Sequence, residues 1–406
     1  MSITQETSNC PSTPAGSPRF QLLRWGVAAV LFAGVVWAGF HLYQLEEYGP
    51  SSTWALVSGA LFGYLLQRSR FCFYCGLHEW IVNRSGNGVL GLLAALAVGS
   101  LGYLVIFGAW VPYADAGFLP ARAHIAPVGW HLLIGGGAFG LGMALSGSCL
   151  SAHFYRLGEG SVLSPFALLG AIGGFILGFR SWPFFHSRVV ADASVIWLPA
   201  SWGYFASIVV QLIVLAALAL LVWLRSAPAP AAPPPERSLR GVSERWFVRR
   251  WPHWMGGIGV GVLGAAAYLR AEPLGVTAEL GRLSRHIGAA WVPATLPGLD
   301  RLRGCSPMDV EVVLSDNALF VIGLVAAGFI GGLVAGQFEP TIPKPRRFIL
   351  ALIGGVLLGF GSMISLGCTI GTLLSGIHAL AVSGWLFGAA MIGGVWVGII
   401  MMKRIG

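Results

Sequence analysis

The chemistry this sequence can offer sits mainly on four cysteines. Cys72 and Cys75 close the stretch Arg68-Ser-Arg-Phe-Cys-Phe-Tyr-Cys75. Cys149 ends Ser146-Gly-Ser-Cys149, and Cys368 ends Ser365-Leu-Gly-Cys368. A neutral thiol is soft and polarisable, and it donates and accepts hydrogen bonds weakly. It can touch the sulfur of a passing anion without the grip of a fixed arginine pair, and conduction favours several weak sites over one deep one. A thiolate would repel an anion, so these thiols are expected to be protonated. Arg68 and Arg70, just ahead of the first pair, would attract an anion, or they serve only as charged anchors at a membrane face. Cys10 and Cys305 stand outside these patterns and read as incidental.

The Cys72-x-x-Cys75 spacing also suits zinc or thiol exchange. A structural zinc site usually needs four ligands, however, and no second pair exists. His78, His153 and His378 lie near the thiols in sequence and leave a soft-metal site as an outside reading. No resident metal or cofactor is expected.

The elements that must position these thiols form a repeat. Gly135, Gly136, Gly140, Gly142, Ser146 and Cys149 recur in register as Gly354, Gly355, Gly359, Gly361, Ser365 and Cys368. Downstream, Ile172-Gly-Gly174 recurs as Ile392-Gly-Gly394 with a shift of one residue. In each copy a glycine-rich apolar run stops at the cysteine and a shorter apolar piece follows, which predicts a broken helix. Counting spans, the segment ending at Cys149 runs outside to inside and the one ending at Cys368 runs inside to outside. The halves are therefore expected to be inverted repeats, a build that places its site near the midplane at discontinuous helices. The N-termini of half-helices offer N–H donors and a partial positive charge to an anion there.

Composition fixes the medium. Only 10% of the 406 residues are charged, against about 25% in soluble chains, and the mean hydropathy is +0.75. Those values exclude a water-soluble enzyme, a disordered chain and a secreted disulfide scaffold. The 58 glycines suit helices that approach closely in a bilayer. The net charge of +9 lies mostly between apolar runs, as the positive-inside bias requires, and does not indicate nucleic acid. Residues 1–23 read as a polar tail, 24–225 as the first half with an extra N-terminal helix, 226–250 as a Pro/Arg-rich linker and 251–406 as the second half. The linker and the C-terminal Lys403-Arg404 are assigned to the cytoplasm. Arg282, Arg285, Arg301 and Arg303 fall in a segment the span count places outside, which requires either a re-entrant piece or an exception to the charge rule.

The Arg-Ser-Arg-Phe-Cys72 stretch and the two Gly-x-Gly…Ser-x-x-Cys elements resemble the YeeE/YedE membrane proteins, roughly from Ala60 to Met402. The resemblance implies an hourglass-like pore in an all-α, polytopic bundle of the bacterial inner membrane. It also implies uptake of thiosulfate or a related sulfur anion, passed along Cys149, Cys368 and Cys72, and a cytoplasmic TusA-type sulfur carrier as a receiving partner. Cys75, the long N-terminal tail and the Arg-rich loop holding Cys305 depart from the family pattern. Two other functions compete: a membrane thiol-disulfide oxidoreductase using Cys72 and Cys75, and a docking protein for a sulfur carrier. The first would tolerate loss of Cys368; the second would tolerate loss of every intramembrane cysteine.

Overall fold

The computed structural model describes residues 18–45, 48–115, 117–227, 244–270, 273–293, 296–298, 314–338, 340 and 343–405. Cys10, Cys305, Arg301 and Arg303, most of the expected tail and residues 228–243 of the expected linker lie outside them. The first half holds α1 (Pro18–Gln44), α2 (Gly49–Ser69), α3 (Phe73–Asn83), α4 (Asn87–Trp110), α5 (Trp130–Ser146), α6 (Leu150–Gly158), α7 (Leu163–Phe185) and α8 (Leu198–Arg225). The second holds α9 (His253–Arg270), α10 (Thr277–Ile287), α11 (Asp316–Val334) and α12 (Pro345–Ile364). A wide π-wound stretch, Thr369–Ser375, then runs into α13 (Gly376–His378), and α14 (Val382–Ile405) closes the chain.

Among the described residues, eight helices are long and apolar enough to cross a membrane. About 20 apolar residues suffice to span, and no backbone group can be left unpaired in lipid, so helices of this length and composition are the expected solution. The protein is an all-α, multi-pass membrane protein. α1 begins at Pro18, ahead of the tail boundary the sequence suggested. The Arg282–Arg285 segment is not a loop: it is α10, with Arg282 paired to Glu279 at 2.5 Å.

The close helix pairs join one half to the other: α2 with α11, α4 with α9, α5 with α14, α7 with α12, and α5 with α12. Glycine makes these approaches possible. A Cβ at Gly140 of α5 would lie 2.1 Å from the Met391 carbonyl oxygen of α14, and one at Gly359 of α12 would lie 2.0 Å from that of Ala171 on α7. Small residues therefore set the interhelical distance, as expected where lipid removes the hydrophobic drive between helices.

Residue order gives the direction of each pair. Gly59 and Gly63 of α2 meet Phe320 and Leu324 of α11 in the same order, so these helices run parallel. Gly91 and Gly102 of α4 meet His253 and Ala265 of α9 in the same sense. α5 and α12 differ: Gly135 meets Gly361 while Gly142 meets Gly354. The order reverses, so these two run antiparallel. Sequence alignment equates Gly135 with Gly354 and Gly142 with Gly361, so this contact is self-complementary, each partner meeting the other's equivalent.

Candidate functional site

Each glycine-rich helix ends in the same way. Gly147 caps α5 in the left-handed region with φ 80°, a conformation that costs a side-chain-bearing residue about 1–2 kcal/mol. The equivalent position after α12 is Leu366, also left-handed with φ 60°. One residue earlier, the repeated serine fixes the turn: Ser146 Oγ donates to the Ser148 carbonyl at 3.1 Å, and Ser365 Oγ donates to the Gly367 carbonyl at 3.1 Å. The chain then turns into a short helix whose N-cap is Cys149 in the first copy and Cys368 in the second. Cys72 is likewise the N-cap of α3. In the second half the corresponding cap, at the start of α10, is Val276.

The first-half break gathers thiols. Cys72 Sγ lies 3.7 Å from Cys149 Sγ and 3.8 Å from Ser148 Oγ. Cys75 neighbours Cys72, and Arg156 donates from Nη2 to Cys75 Sγ at 3.3 Å and from Nη1 to the Gly147 carbonyl at 3.3 Å. The second-half break holds one thiol. Cys368 Sγ accepts from the Ile370 N–H at 3.4 Å, and the Thr277 hydroxyl is its side-chain neighbour. Cys72, Cys149 and Cys368 are all buried, whereas Cys75 is half-buried.

Two buried hydroxyls close in sequence to these thiols lack a hydrogen-bond partner: Ser151, two residues after Cys149, and Thr369, directly after Cys368. A buried polar group left unpaired costs about 1–3 kcal/mol, so hydroxyls in this state are the natural counterparts of a polar cargo. The outer rim of the Cys368 break is held by His124 of the α4–α5 connection, whose Nε2 is 3.1 Å from Thr372 Oγ1. Thr372 gives its own proton to the Ser365 carbonyl at 3.1 Å, so His124 is the donor of that pair. Burial pushes the His124 imidazole down to about 4, so it is neutral at physiological pH.

The arginines named from sequence are elsewhere. Arg68 is buried and donates from Nη2 to the Arg249 carbonyl, while the Trp251 N–H donates to the Arg68 carbonyl at 2.9 Å. It ties the end of α2 to the chain entering the second half. Arg70 caps α2 in the left-handed region, and its electrostatic neighbours are Glu79 and His253. Neither makes a hydrogen bond to a thiol. The cation that does is Arg156, which the motif reading passed over. The signal was there: Arg156 follows Cys149 by seven residues, two helical turns, and so lies on the same face of α6. Among the described residues, no three His, Cys, Asp or Glu side chains converge on a common point. His153 faces Ser164 at 3.3 Å and His378 faces the Ala95 carbonyl at 3.1 Å.

A multi-pass helical bundle whose broken helices start at buried thiols defines a membrane transport protein. The chain belongs to the Sulphur transport family, whose profile matches residues 68–397. It is 26% identical over 356 residues to the thiosulfate transporter TsuA of Escherichia coli K12, covering 84% of this chain and 92% of that protein. It is 27% identical over 355 residues to the thiosulfate transporter TsuA of Spirochaeta thermophila, covering 84% of this chain and 96% of the relative.

Proposed function

We propose that the protein carries thiosulfate, or a closely related sulfur anion, inward across the bacterial inner membrane, by way of two half-sites related by inversion. The observation that carries this reading is the placing of buried thiols at the N-caps of short helices at both breaks. Cys72 lies 3.7 Å from Cys149 Sγ and 3.8 Å from the Ser148 hydroxyl, and Cys368 has the Thr277 hydroxyl as its side-chain neighbour. A sulfur anion has a soft sulfur terminus for the thiols and oxygens for the hydroxyls. The N–H groups opening α3, α6, α10 and Thr369–Ser375 add positive potential at the same places.

The inversion is supported by the antiparallel, self-complementary α5–α12 contact and by the exchange of the other close pairs. Swapping the halves turns α2–α11 into α9–α4 and α5–α14 into α12–α7. Orientation follows from charge. Arg84, Arg225, Arg249, Arg250, Lys344, Arg346, Arg347, Lys403 and Arg404 flank helix ends that this topology brings to one side, the cytoplasm under the positive-inside rule. The Cys72–Cys149 cluster then lies on the inner half of the path and Cys368 on the outer half. Transfer to a TusA-type carrier at the inner end rests on the family resemblance.

Uptake of sulfur-35-labelled thiosulfate by proteoliposomes tests the proposal. Wild-type protein is expected to load the vesicles, and Cys149→Ala and Cys368→Ala are each expected to fall to the level of empty liposomes. Wild-type uptake by both variants would overturn the role of the thiols. No uptake by wild type would overturn the substrate. An oxidoreductase using Cys72 and Cys75 would leave Cys368→Ala fully active.

A further inference from the structure

We propose that Arg156 is the charge-selective residue of the inner half-site, holding the oxygen end of the sulfur anion while Cys72 and Cys149 touch its sulfur. This inference rests on the transport reading above and adds to it the residue that recognises charge.

The position of Arg156 follows from helix geometry. Side chains on a helix lean toward its N-terminus, so a long arginine two turns down α6 reaches back toward Cys149. Its contact with the Gly147 carbonyl, just ahead of the helix, shows that it does so. Its bond to Gly147 O is long at 3.3 Å, and its bond to Cys75 Sγ, also 3.3 Å, is of ordinary length for a sulfur acceptor. Charge-assisted contacts to an anion close to about 2.7–2.9 Å. Among the described residues no carboxylate lies within ion-pair distance of Arg156. Arg156 is half-buried, with Cys72, Tyr155 and Glu159 as further electrostatic neighbours, and an anion beside the thiols would add a charge-assisted partner. Guanidinium has five N–H donors in a planar fork, so donors remain for an oxyanion.

The second half provides an internal control. The register that equates Cys149 with Cys368 equates Arg156 with Ser375, whose Oγ donates to the Ile370 carbonyl at 3.0 Å. The outer half-site therefore lacks this cation and the inner one has it. An anion moving inward passes from a neutral thiol–hydroxyl site to a cationic one, so the pathway holds its cargo more strongly on the inner side.

The test is thiosulfate uptake by Arg156→Gln and Arg156→Lys proteoliposomes, with KM and kcat resolved separately and thermal unfolding of each variant measured in detergent. Loss of one charge-assisted contact is expected to raise KM for Arg156→Gln about tenfold or more, with a smaller rise for Arg156→Lys. A purely structural arginine would instead lower the unfolding temperature and leave KM unchanged, which would overturn the assignment. Should Arg156→Gln fail to fold, a wild-type KM in Arg156→Lys would overturn it. Absence of wild-type uptake would defeat the transport reading, whereas wild-type uptake with an unchanged KM in the variants would defeat only the role of Arg156.

Discussion

The two broken-helix sites share a backbone and differ in their side chains. At both, a glycine-rich helix ends in a left-handed residue, a serine pins the carbonyl two residues on at 3.1 Å, and a cysteine caps the next helix. Around that common frame the first half places two more thiols and a guanidinium. The second places threonine hydroxyls and a neutral imidazole. The repeat thus preserves the parts that shape the turn, while the residues lining it have diverged. One backbone frame thus carries two unequal sets of side chains, and the inequality lies in charge and softness rather than in architecture.

The comparison can be broken at three levels. The largest effect is expected at the self-complementary crossing of α5 and α12. Cβ atoms at Gly142 and Gly361 would lie 2.6 Å and 2.5 Å from backbone carbonyls of the facing helix. Gly142→Leu and Gly361→Leu should each exceed the roughly 1–3 kcal/mol of ordinary overpacking and lower the unfolding temperature in detergent by similar amounts. Tolerance of either alone would end the equivalence of the two helices. A smaller effect is expected at the turn. Gly147→Ala adds a Cβ that meets nothing within 4 Å, so only the left-handed backbone is penalised, by about 1–2 kcal/mol. Thermal unfolding would show this, and no change would mean the turn relaxes where the Leu366 turn does not. The smallest effect is expected at the pinning serines. Ser146→Ala loses the bond to the Ser148 carbonyl, and Ser365→Ala loses the bond its hydroxyl shares between the Gly361 and Gly367 carbonyls, each about 0.5–1.5 kcal/mol. Matched losses in unfolding temperature would confirm that the two serines do one job, and a loss at only one site would show that they do not.

Much of this was legible in the sequence. Low charge and long apolar runs gave the membrane fold, because lipid leaves helices as the simple way to pair every backbone group. The match of Ser146 and Cys149 to Ser365 and Cys368 marked both breaks, and the structure explains the serine as a turn residue. Arg68 and Arg70 precede the thiols in sequence, yet adjacency along a chain does not by itself give a contact across a bundle. The chain turns after Ser69, and Arg68 faces the Arg249–Trp251 strand of backbone that the sequence places far away. Arg156 escaped notice for the converse reason: it lies outside every motif and returns to the thiols only through helical periodicity. Thr277 drew no attention because the stretch Gly264–Thr277, a weak counterpart of Gly63–Cys75, keeps the arginine as Arg270 and none of the thiols.

The close pairs of the bundle each take one helix from either half, with carbonyl oxygens pressed against glycine Cα atoms. Halves interlaced in this way cannot rock past one another or slide like an elevator without prising apart several glycine seams at once. A shift of the short pieces between the seams, α3, α6, α10 and Thr369–Ser375, would by contrast leave those glycine contacts in place.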